Sequence, residues 1–136
     1  MNGNTLDYED LVIDDASDAA IMMARTYSII MKMNLPQPSF EWRDREGGYH
    51  PVSGMETKYI FNVLLMIWNH AVPEKMRIDF RNAYTFGPFY NVEYMVKAFC
   101  AMMQELDRRK DLTDRQEKAV KKIKAQIEAM RNTTIE

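Results

Sequence analysis

Apolar residues recur every three and four positions in three stretches of this chain and fill a fourth almost completely. Ala20, Met23, Ala24, Tyr27, Ile30 and Met31 mark one helical face, so the spacing predicts a helix capped by Ser17 or Asp15 and running to about Met33. Leu35-Pro36-Gln37-Pro38 stops it, because proline cannot continue a helix and disfavours helix in the residue before it. Residues 53–72, SGMETKYIFNVLLMIWNHAV, are apolar nearly all round and predict a central helix buried on most sides. Ser53 with Glu56 reads as a capping box at its start, and Pro73 closes it. A third helix begins at Asn91 or Gly87 and carries a stripe of Val92, Met95, Val96, Phe99, Met103 and Leu106. Arg108, Arg109 and Lys110 sit at its C-terminal end, where the helix dipole favours cations. Thr113 with Gln116 is a second capping box, opening a last helix to about Met130 with Val120, Ile123, Ile127 and Met130 inward. The short connection makes the last two helices an antiparallel pair.

Between the first two helices the period changes to two. Phe40 and Trp42 alternate with polar neighbours, Asp44-Arg45-Glu46-Gly47-Gly48 is turn chemistry, and Tyr49-His50-Pro51-Val52 returns. The pattern predicts a β-hairpin with its second strand at an edge, since Pro51 has no amide to give an interior ladder. Two strands alone are marginal in water, so the hairpin must lie on a helix or pair across a subunit boundary. Residues 74–83 suggest a short helix, followed by a Gly87-Pro88 turn. The fold class expected is mainly α: four to five helices, one β-hairpin, the central buried helix over 53–72 and the C-terminal helix pair.

At 136 residues the chain is long enough for one domain with its own core. Residues 1–14 read as an acidic N-terminal arm and 15–136 as a single helical domain. The arm carries Asp7, Glu9, Asp10 and Asp14 with no Lys or Arg, and Leu11, Val12 and Ile13 as a possible pairing segment. With 46% apolar and 28% charged residues the protein is globular, and a net charge of −2 argues against a general nucleic-acid binder. The lone cysteine, Cys100, lies in an apolar stripe and reads as a core thiol, excluding an internal disulfide. No secretory leader pattern opens the chain, and the densest apolar run, residues 59–68, is too short for a membrane span. A cytoplasmic protein with no membrane association is expected. The twelve methionines read first as adaptable core filler.

His50 and His70 stand on different elements without metal-ligand spacing, so neither a metal nor any other cofactor is expected. No nucleophile elbow or phosphate loop is present, and the nearest candidate carboxylate, Glu41, lacks an apolar context, so no catalytic residue is assigned. Asn62, Asn69 and His70 are the polar residues inside the central helix and need partners in the hairpin, the following loop or another subunit, or else a ligand. The segment after Pro73 looks most like a binding surface. Tyr84, Phe86 and Tyr90 offer faces on which a base can stack, and Arg77 and Arg81, four apart, could take phosphate oxygens together. With Trp42 and Arg43 of the hairpin and Asn69 and His70, these form the candidate ligand-binding set.

Around the hairpin the chain resembles small uncharacterised proteins of tailed bacteriophages. The resemblance rests on Trp42, Arg43, Gly47, Pro51-Val52, Met55, Tyr59-Ile60, Asn62, Leu64 and Met66. It implies a phage or prophage source and an infected bacterial host, where small non-enzymatic proteins block host defences by sequestering a nucleotide signal or gripping a host defence protein. The function expected is therefore a non-enzymatic, homo-oligomeric accessory protein that sequesters a nucleotide-like or other anionic small molecule. The alternative is a protein-interaction inhibitor or adaptor without a small-molecule pocket.

Overall fold

A helix with no wide polar face must be enclosed, and the structure encloses this one. The computed structural model describes residues 17–36, 39–79 and 84–134. In chain order these form α1 (Asp18–Met33), β1 (Glu41–Arg43), β2 (Tyr49–Pro51), α2 (Thr57–Ala71), α3 (Val92–Arg108) and α4 (Asp114–Thr134). The architecture is the expected one, four helices and an antiparallel hairpin. In α2, Ile60, Leu64, Leu65, Ile67 and Trp68 are wholly buried. Each such side chain contributes about 1.5–3 kcal/mol, so the helix is held by its surroundings rather than by its own propensity. Helices α1 and α3 lie against it, and α4 lies mainly against α1. The acidic arm, Asp15, Arg81 and the second half of the short helix expected over 74–83 lie outside the described residues. Within the first half of that short helix only the 3-10 turn Glu74–Met76 forms, and Asp79 then takes a left-handed φ of 69°.

Ser17 is the cap of α1: its hydroxyl oxygen accepts from Ala20 N at 3.2 Å and its proton goes to Ala71 O at 2.8 Å. The helix ends before the prolines, at Asn34, which takes the left-handed conformation (φ 52°) that asparagine tolerates. Ala20, Met23, Ala24, Tyr27 and Ile30 face the core as expected, but Met31 is 45% exposed. In α3, Asn91 is the cap, and Val92 at the start of the predicted stripe faces outward. The Thr113/Gln116 box forms in both directions, at 3.1 and 2.9 Å.

The Ser53/Glu56 box does not form. Val52–Gly54 is a 3-10 turn, and α2 starts at Thr57 behind Glu56, whose side chain makes no cap bond. Arg109 occupies the space instead. Its guanidinium donates to the carbonyl oxygens of Met55 (2.6 Å), Ser53 (3.2 Å) and Val52 (3.4 Å) and to Thr57 Oγ1 (3.1 Å). Glu105 anchors it at 2.9 Å from the other side and also pairs with Arg108. Thr57 in turn donates to Asp111 at 2.8 Å. The residues between α3 and α4 thus hold the carbonyl groups of the segment that leads into α2, a long-range tie where no side chain caps the helix locally. Two further polar ties cross the helices. Asp107 accepts from Tyr27 of α1 and from Lys124 of α4, and the Trp68 indole donates to Gln126 at 2.9 Å.

Arg109→Ala should cost about 2–3 kcal/mol in urea denaturation, because the partly buried bonds to Met55 O and Val52 O lose their charged donor and Glu105 loses its partner. Ser53→Ala should cost under about 0.5 kcal/mol, where a working cap would cost about 1. Equal losses would refute the long-range tie. Burial works to raise the Glu105 pKa, but the hydrogen bonds from Arg108 and Arg109 hold it below the usual carboxylate range. A depressed folded pKa stabilises above the unfolded value and is lost as pH falls through the folded one. Glu105→Gln should therefore be less stable than the wild type at neutral pH, the gap closing as pH drops below about 4. A gap constant from pH 7 to 3 would contradict this.

Candidate functional site

In the hairpin, Trp42 pairs with His50, and Phe40, Trp42 and Asp44 turn their backbone groups toward β2. Glu41 and Arg43 therefore turn theirs outward, to an edge that no third strand among the described residues covers. Tyrosine hydroxyls close that edge. Tyr94 Oη accepts from Arg43 N at 2.8 Å and donates to Glu41 O at 3.0 Å, while Tyr90 Oη donates to Arg43 O at 2.6 Å. Burial raises both phenol pKa values, so the protons needed for donation stay on. The rings beneath continue the contact, with Trp42 lying 5.3 Å from Tyr90 and 5.8 Å from Tyr94 between centroids. The hairpin thus rests on the start of α3 and the loop before it, as the strand-pair argument requires.

The turn is built on Asp44, which accepts from Glu46 N, Gly48 N and His50 Nε2 at 3.0, 2.8 and 2.7 Å. The His50 bond first, then the amide bonds, hold its pKa low. Gly47 takes a φ of 89°, which a side chain would strain. The loop before α3 turns at Gly87, whose carbonyl accepts from Tyr90 N at 3.1 Å.

Between turn, loop and α2 lies a cavity of about 820 Å³. The hairpin supplies Trp42, Arg43, Asp44, Arg45 and Glu46; α2 supplies Tyr59, Val63 and Met66; residues 84–90 form the remaining wall. Arg43 lies over the Phe89 ring at 4.3 Å, which fixes its guanidinium at the wall. Arg45 is exposed at the turn.

Five of the predicted ligand-binding residues come together here: Trp42, Arg43, Tyr84, Phe86 and Tyr90. His70 stands behind them, its Nδ1 2.8 Å from Tyr84 O and its ring edge-on to Phe86, so it positions the loop rather than lining the cavity. Asn69 is fully spent: its amide group donates to Ile78 O and accepts from Ile78 N, both at 2.9 Å. That matches the expectation of a partner in the following loop and removes it from the ligand set. Asn62, one face with Asn69 by spacing, is exposed. Arg77 does not line the cavity, and Arg81 lies outside the described residues. Among the described residues, the cations at the cavity are Arg43 and Arg45. Arg45 was not among the predicted site residues, although the period of two that aligns it with Arg43 was visible.

Tyr94→Phe should cost about 1–2 kcal/mol, since two backbone groups of β1 lose their partner. A urea denaturation curve unchanged from the wild type would show that the edge needs no closing. No family model matches the chain, and comparison with curated proteins and with solved structures finds no match either, so the site is read from its own geometry.

Proposed function

We propose that this protein binds a flat, anionic, nucleotide-like small molecule in the cavity between the hairpin turn and the aromatic loop, without catalysis. The single observation that carries the reading is the composition of that cavity: aromatic walls from Trp42, Phe86 and Tyr90, with Arg43 and Arg45 at one side. Its size falls within the roughly 300–1,000 Å³ usual for ligand sites. A stacked base gains about 1–3 kcal/mol per ring, and guanidinium groups bind phosphate oxygens in pairs. Binding rather than turnover fits the remaining groups. Asp44 is engaged three times over, and the thiol of Cys100 is buried in α3, where burial pushes its pKa up to about 12. With the phage resemblance, the reading becomes sequestration of a host nucleotide signal by a homo-oligomeric accessory protein.

A thermal-shift panel of mono-, di- and cyclic nucleotides tests it. A bound nucleotide at a hundred times its Kd should add about 2.7 kcal/mol and raise Tm. Arg45→Ala and Arg43→Lys should each weaken binding by about tenfold or more, the latter because a lysine lacks the planar fork, whereas Arg77→Ala should leave it unchanged. No shift with any nucleotide overturns the reading and leaves the interaction-adaptor alternative in its place; an undiminished shift in both cavity variants overturns the site.

A further inference from the structure

Five of the eight large apolar side chains exposed among the described residues lie on α1 and the two residues after it: Met22 (47%), Ile29 (53%), Met31 (45%), Met33 (62%) and Leu35 (41%). Seven of the twelve methionines are buried, so this cluster is not a general property of the composition. Beside it, between α1 and α4, runs a groove of about 760 Å³ whose lining includes Ile29, Met31 and Ile127. Its border carries Arg25, Lys32 and Lys124 against one acid, Glu128. Arg25 and Lys32, seven apart and so on one face, flank Ile29, and neither makes an ion pair with another described residue.

We propose that this groove is the docking site for residues 7–15 of the same chain. An occupant must bring an apolar centre between acidic flanks, and the segment reads Asp7, Glu9, Asp10, then Leu11-Val12-Ile13, then Asp14-Asp15. A second copy packed face to face would instead bring Arg25 and Lys32 against their own equivalents, which costs energy. The reach also fits. The segment joins α1 at Ser17, anchored to Ala71 O. Arg25 lies about 12 Å and Ile29 about 18 Å along the helix from there. Six residues at full stretch reach about 20 Å, so the chain between Ser17 and Leu11 is long enough to carry Leu11 as far as Ile29.

Glutamyl endopeptidase cutting after Glu9 in the full chain, followed by mass spectrometry, tests the assignment. Cleavage tracks the undocked population, so Ile29→Glu and the double variant Arg25→Glu/Lys32→Glu should each speed it about tenfold or more. Lys58→Glu, an exposed charge reversal on α2, should cut at the wild-type rate. All four positions are exposed, so the variants keep the fold, which Tm confirms. A rate equal to wild type in either groove variant, or an equal rise in Lys58→Glu, overturns the proposal.

Discussion

The outward edge of β1 is the constraint on which the candidate site depends. A strand pair satisfies one side of each strand and leaves the other side needing donors and acceptors. Here two phenol hydroxyls, from Tyr90 and Tyr94, stand where a third strand would be. Because one tyrosine belongs to α3 and the other to the loop before it, closing the edge also fixes the hairpin, the loop and the helix in one arrangement. The cavity is the space this arrangement leaves, with the turn on Asp44 as its far wall.

The rest of the fold supplies rigidity behind that arrangement. α2 gives the site its floor through Tyr59, Val63 and Met66, while Ile60, Leu64, Leu65, Ile67 and Trp68 anchor it in the core. The entry to α2 is held from a distance by Arg109 and its exit by the Asn69–Ile78 pair. Asp107, reached from α1 and α4, ties the outer helices together. In each case a polar side chain connects segments far apart in the chain.

What could be read from the sequence was what repeats locally. The four helices, the hairpin with its register-setting turn and the inward face of α4 followed from spacing, and the Thr113/Gln116 box formed as its residues suggest. Ser53/Glu56 has the same local signature, yet Val52–Gly54 closes into a 3-10 turn whose carbonyl groups Arg109 holds from fifty-odd residues away, a contact that no local pattern announces. The site divides in the same way. The aromatic loop and Trp42 stood out as residue types, and the structure brings them together. Of the cations, Arg43 follows from the sequence and Arg45 does not, while Arg77, which its four-residue spacing to Arg81 suggests, does not line the cavity.

The most direct measurement of the hairpin account is native-state hydrogen exchange at β1 in the wild-type protein. If Tyr94 Oη accepts from the Arg43 amide, that outward-facing amide exchanges as slowly as the inward amides of the same hairpin, Asp44 and Val52. An Arg43 amide that exchanges at the rate of an unprotected peptide group, while Asp44 and Val52 stay protected, would show that the edge is open and that the cavity wall is not held as described.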